Sequence, residues 1–200
     1  MSLQLNRIEF GNPANAGNTL SREAANTLLK DWVKNERLQL HMKQVAHIMK
    51  CWAAEKEGLN EADQWRWEMA GLLHDADWDQ WPALHCKKII EHLEERQIDP
   101  EIIRAIASHG PAHFGVNPET NMDKMLYAFD ELSGLIHAYS LMRPGGYATM
   151  DTKGVKKRLK EKGFAANVSR DDIADACQRA GVAIDELIAF IIPRQATVTL

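Results

Sequence analysis

His41, the adjacent pair His74 and Asp75, His109 and Asp130 are metal-ligating residue types on the inward faces of helical stretches, and His85 is a fifth source of the same kind. His41 lies three residues from Leu38 and four from Val45, and His85 precedes Ile89 by four. His109 follows Ile106 by three and Ile102 by seven, and Asp130 follows Leu126 by four. The pair ends the apolar run Ala70–Leu73 in "AGLLHDADWDQW". A buried imidazole or carboxylate is costly unless it is hydrogen-bonded, paired or bound to an ion. One alone is ordinarily a core residue with a backbone partner, whereas several converging from different helices point to a shared ligand. Mixed imidazole and carboxylate donors suit a divalent transition metal: Mn²⁺, Fe²⁺, Co²⁺, Ni²⁺ or Zn²⁺. The three cysteines, Cys51, Cys86 and Cys177, are far apart and form no CxxC pair, so neither a thiolate zinc site nor a disulfide framework is indicated.

Calcium is the competing metal, because "DADWDQWPALHC" starts with aspartates at 75, 77 and 79. A calcium loop needs glycine at its sixth position and glutamate at its twelfth. Gln80 and Cys86 stand there, and the loop does not fit. Asp77 and Asp79 then read as an acidic, solvated turn, with proton transfer as the sharper alternative.

The elements that must position these residues are helices. Apolar residues recur at spacings of three and four, and no segment alternates like a strand. One helix is expected from about Asn35 to Glu57, with His41 inward and His47 outward. The next runs from Asn60, with Asp63 as capping acid, to His74 and Asp75. Pro82 is expected to open a helix through "PALHCKKIIEHLEER", with His85 on its apolar side. Asp99-Pro100-Glu101 opens another that closes at Gly110, and Thr120 or Asn121 opens a long one carrying Asp130 and, seven residues on, His137. After the break at Pro144-Gly145-Gly146 come a basic run, Lys153–Lys162, and two short helices from Ser169, with "RQATVTL" as a fraying tail. The expected fold is all-α, a helical bundle with a C-terminal helical cap. Residues 1–20 hold Gly11, Pro13, Gly17 and four asparagines and are expected as a loosely ordered lead-in. Residues 21–200 are expected as one domain, with its core at 35–141 and the C-terminal helices at 153–193.

The 200 residues, 45% of them hydrophobic, suffice for one good-sized core. A net charge of -4 gives no general attraction to nucleic acid or to an anionic membrane. No run approaches the roughly 20 apolar residues of a membrane span, and the N-terminal stretch lacks the pattern of a signal peptide, so a cytoplasmic location is expected.

The ordered set His41, His74-Asp75 and Asp130 resembles the HD-domain metal-dependent phosphohydrolases. The steps "LLHD", "I..HG" and "A.DEL.GLI" look closest to small stand-alone members. The likeness covers about Asn35 to Leu141 and continues weakly into the C-terminal helices. It implies that His41, His74, Asp75 and Asp130 hold one ion. In two-metal members two further histidines follow the pair, and His85 and His109 match them in order, which makes one or two ions per chain the expectation, with Asp75 as the bridge. One departure is the short interval from His74 to His85, filled by a turn containing Trp78 and Trp81. The resemblance further implies hydrolysis of a phosphate ester or anhydride by metal-activated water. The substrate would be a small phosphorylated compound, with nucleotides among the candidates. Asp75, Asp77, Asp79 and His137 are candidates for catalytic work beside the metal, and His137 reads equally as a core histidine. Lys153, Lys156, Lys157 and Arg158 are candidates for holding substrate phosphates, although such a run is more often a solvated face. A homodimer is compatible with the sequence. Two other readings use the same residues: a di-iron oxygenase, and a nucleotide-binding module without turnover.

Overall fold

The computed structural model describes residues 3–200 and is all-α, with no strand among the described residues. The helices are α1 (Arg22–Trp32), α2 (Glu36–Glu55), α3 (Glu61–Leu73), α4 (Lys87–Glu95), α5 (Pro100–Ala107), α6 (Pro111–Phe114), α7 (Asn121–Leu141), α8 (Thr152–Lys160), α9 (Arg170–Ala180) and α10 (Ile184–Gln195). Most of the longer ones start at a side chain that satisfies the first free amides. Asn35 caps α2, Asn60 caps α3, Asp99 caps α5, and Thr120 and Asp123 form a reciprocal capping box on α7. No helix among the described residues is long and apolar enough to cross a membrane.

Two contacts position the site. Where α3 crosses α2, Gly71 lies against the backbone of Ala46. A β-carbon there would sit 2.9 Å from the Ala46 Cα, so only glycine allows this closeness. That approach brings the end of α3 beside His41. The second contact is the antiparallel crossing of α2 and α7. Asn121, at the start of α7, donates to Glu57 beyond the end of α2 (3.1 Å), while His41, near the start of α2, meets Asp130 in the middle of α7. Trp52, Phe129 and Phe190 join α2, α7 and α10 through ring contacts of 4.9–6.1 Å. Gln195, fully buried, ties α10 to Gln44 and to the Ser133 carbonyl. The last helix therefore extends two residues into the stretch expected to fray.

The lead-in differs from its expectation. Phe10 is buried, the Leu5 amide donates to the Phe114 carbonyl (2.9 Å), and the Gly11 amide donates to Glu94 (2.9 Å). Gly17 donates to Asp99, and Asn12 caps a short 3-10 turn, Pro13–Asn15. Gly11 has φ +68°, a left-handed conformation that disfavours a side chain, and lies tightly against Pro100. The glycines and asparagines thus serve defined turns that strap this segment onto α4 and α5, and looseness is not what they encode.

Candidate metal centre

α2 supplies His41, the end of α3 supplies His74 and Asp75, and α7 supplies Asp130. His85 and His109 come from between helices. Pro82 opens only a 3-10 turn, Pro82–Leu84, and the chain becomes helical again at Lys87. His85 therefore reaches the cluster from a connecting turn, which corrects the expected helix face. Asp77 makes this break possible: one of its oxygens accepts from the Ile89 amide (3.0 Å) at the new helix start, and the other meets His85 Nδ1 (2.7 Å). His109 likewise lies just past α5, in the turn whose amide donates to Ile106.

The side chains fall into two groups of three. His41 Nε2 is 2.9 Å and His74 Nε2 3.4 Å from Asp130 Oδ1. His85 Nε2 is 3.2 Å and His109 Nε2 3.6 Å from Asp75 Oδ1, while Asp75 Oδ2 turns to His74 Nε2 at 3.6 Å. Within each group, His41–His74–Asp130 and Asp75–His85–His109, one donor atom per residue lies within 4.8 Å of the others. Asp75 thus shows one oxygen to each group.

Three of the four rings have their outer nitrogen occupied. His74 Nδ1 bonds the Gly71 carbonyl (2.8 Å), His109 Nδ1 bonds the Ile106 carbonyl (2.6 Å), and His85 Nδ1 bonds Asp77. A carbonyl only accepts, so Nδ1 of His74 and of His109 carries a proton, and each ring in its neutral form presents its Nε2 lone pair inward. His74 Nε2 is buried and has no hydrogen-bond partner. An unpartnered, inward imidazole nitrogen among carboxylates is the arrangement a divalent ion completes, and the donor set fits one.

Without an ion the cluster balances its own charge. Burial opposes protonation of His74, but Asp75 and Asp130 outweigh it and raise its pKa to about 9. Burial likewise opposes protonation of His85, and hydrogen bonds to Asp75 and Asp77 raise it to about 9. Burial disfavours the carboxylates too, yet His74 and its neighbouring imidazoles hold Asp75 and Asp130 below the usual carboxylate range. The cluster opens along one side: the side chains of His41, Asp75 and Asp130 are 20%, 18% and 17% exposed, against 0% for His74.

Other expected participants lie elsewhere or do different work. Asp77 is fully buried and acts as a brace for His85, so the solvated-turn reading fails for it. Asp79 is exposed and accepts from the amides of Lys34 (2.7 Å) and Asn35 (3.0 Å), where it pins the start of α2. His137 bonds the Tyr147 hydroxyl (2.8 Å), and Tyr147 also accepts from Gln44 (3.1 Å). Burial first, and the charges of His41 and Arg37 next, lower its pKa. Lys153, Lys156 and Lys157 line a surface cleft of about 730 Å³ beside α8 that contains none of the six cluster residues. Lys156 pairs with Asp185 (2.8 Å), and Arg158 pairs with Glu161 and stacks over Tyr139 (5.1 Å). The basic run is therefore a face of its own and does not line the cluster.

Two residues escaped the sequence reading. Gly71 sits inside an ordinary helical pattern, and its role depends on a partner helix that periodicity does not show. Glu131 follows Asp130 directly and accepts from the Ser169 amide (3.2 Å); without an ion in the cluster, burial, then the Asp130 charge, raises its pKa to about 8. Its place in the "DEL" step was visible, but not its burial.

Comparison with known proteins gives one match: the family model of the HD domain covers residues 39–135. No curated protein and no solved structure matches the chain.

Proposed function

The chain is an HD-domain protein over residues 39–135, and on that footing we propose that it hydrolyses a phosphate ester or anhydride of a small metabolite, a nucleotide being one candidate, at a two-metal site. HD domains are characteristic of metal-dependent phosphohydrolases, which is as far as family membership reaches. The observation that carries the two-metal reading is Asp75, which belongs to one three-residue group through Oδ1 and turns Oδ2 toward His74 of the other. In this reading His41, His74 and Asp130 hold one ion, His85 and His109 hold the other, and Asp75 is shared. Divalent transition ions bound there would supply an acidified water as nucleophile and positive charge opposite the phosphoryl oxygens.

The chain's own groups do the rest. The Gly71 and Ile106 carbonyls fix the tautomers of His74 and His109, and Asp77 orients His85, so each Nε2 is aimed before any ligand arrives. Phe114 packs against both His85 (5.2 Å) and His109 (5.1 Å) and keeps water from their flank. The exposed side, along His41, Asp75 and Asp130, is where a substrate would enter. Glu131, next to Asp130, accepts from the Ser169 amide (3.2 Å) and so ties α7 to the start of α9 beside the cluster.

The test is elemental analysis of protein purified without chelator, followed by a phosphatase screen with Mn²⁺, Fe²⁺, Co²⁺ and Ni²⁺ added singly. Phosphate release that depends on one of these ions supports the reading. Oxygen consumption by iron-loaded protein, with no phosphate released from any substrate, would replace it with the oxygenase reading.

A further inference from the structure

The open side of the cluster has a cation beside it that neither the family match nor the two ligand groups account for. The sequence contains eleven arginines. Ten have their guanidinium engaged by a carboxylate, carbonyl, hydroxyl or ring nitrogen. Arg37 alone has a side chain with no hydrogen bond, ion pair or aromatic face among the described residues, and it is exposed. Its place is well determined. Asp79, four residues beyond Asp75, fixes the two amides before α2, and Asn35 accepts from the Arg37 and Leu38 amides. Arg37 is thus held in the first turn of α2, one turn ahead of His41.

The antiparallel crossing sets what lies opposite. Since His41 meets Asp130, a step back toward the start of α2 runs toward the later half of α7, where His137 stands two turns after Asp130. The charges of His41 and Arg37 both reach His137. Arg37 therefore stands at the His41 end of the opening, with His137 across from it. Stability does not explain this placement. A cation in a helix's first turn opposes the macrodipole, and this one has no partner to offset that. A guanidinium offers a planar fork of donors that matches two phosphoryl oxygens at once.

We propose that Arg37 receives the substrate's phosphate at the mouth of the cluster, and that it makes a terminal phosphoryl group, rather than a phosphodiester, the group this site accepts. The inference rests on the phosphohydrolase reading. A terminal phosphoryl group has three non-bridging oxygens and close to two negative charges at neutral pH, enough to face both the ligand groups and a side cation. A diester has two such oxygens and a single charge, and gains less from Arg37.

The probe is inorganic phosphate, titrated by calorimetry into Mn²⁺-loaded wild type, Arg37→Ala and Arg37→Lys, with metal content measured on each sample. Arg37→Ala should weaken phosphate binding about tenfold or more at unchanged metal content and unchanged melting temperature, and Arg37→Lys should recover part of it, since charge-assisted hydrogen bonds are among the stronger ones. The ratio of activity on 4-nitrophenyl phosphate to that on its bis-ester should fall in Arg37→Ala. Phosphate binding by Arg37→Ala within twofold of wild type would overturn the role of Arg37 and leave the phosphohydrolase reading standing. Wild-type protein that takes up metal but binds no phosphate and hydrolyses neither ester would overturn both.

Discussion

The two halves of the cluster are built differently. His41, His74 and Asp130 are carried on or at the end of long helices, and their mutual distances follow from how α2, α3 and α7 pack, above all from the close approach of Gly71 to Ala46. His85 and His109 stand in connections between helices, and a brace sets their aim: the Asp77 carboxylate for one, the Ile106 carbonyl for the other. Helix packing is shared by many side chains and resists single changes, whereas each of these two rings is aimed by one hydrogen bond, Asp77 holding the Ile89 amide with its other oxygen. The second half should therefore be the easier one to disable without unfolding the protein.

The largest loss should come from the residue both halves share. Asp75→Ala should reduce phosphohydrolase activity by more than the roughly 100-fold that losing an outer brace costs, with helical content retained, because little core is removed. Near-wild-type turnover at saturating metal would sink the assignment. Next comes the brace: Asp77→Ala should weaken binding of one ion about 10–100-fold while the other still binds, seen as a two-step metal titration with one step displaced. Equal displacement of both steps would show that the halves are not independent.

Gly71→Ala should act on the other half through packing. Its β-carbon meets the Ala46 backbone, and overpacking of this kind costs about 1–3 kcal/mol, so its melting temperature should fall through the α2–α3 contact, whereas any fall in Asp77→Ala comes from the lost hydrogen bond to the Ile89 amide. A melting temperature within error of wild type would mean that α2 and α3 separate at little cost. Protons give a gentler test. In chelated protein His74 and His85 titrate near 9, above the ordinary imidazole value of 6.5. The stability they contribute is complete below about 6.5 and is lost as pH rises through about 9. The urea midpoint of chelated protein should fall over that window and that of metal-loaded protein should not, since bound rings are already neutral. Parallel curves would contradict it. Smallest of all, Lys153→Ala should leave activity within about twofold and stability within about 0.5 kcal/mol, because its exposed side chain is remote from the cluster.

The same contrast explains what the sequence made legible. His41 and Asp130 sit on regular helices, and the 3.6-residue period places them inward; the family match over residues 39–135 accords with the resemblance read from their order. The period also put His85 on a helix, and failed there because the helix start at Lys87 depends on Asp77, ten residues earlier, whose burial no local pattern announces. The lead-in misled for a related reason. Glycine, proline and asparagine mark turns, and whether a turn is loose depends on the surface it meets, here Glu94, Asp99 and Phe114. The basic run forms α8, and its separation from the cluster follows from how α8 packs against α7 and α10, a tertiary fact.

The central claim is that Asp75 divides one cluster into two ion sites, and metal content after gel filtration tests it most directly. Wild-type protein saturated with Mn²⁺ or Fe²⁺ should retain about two ions per chain, and His85→Ala or His109→Ala should lower this toward one while the group of His41, His74 and Asp130 keeps its ion. One ion per wild-type chain, unchanged in both variants, would mean that His85 and His109 are braced core histidines and that the second site does not exist.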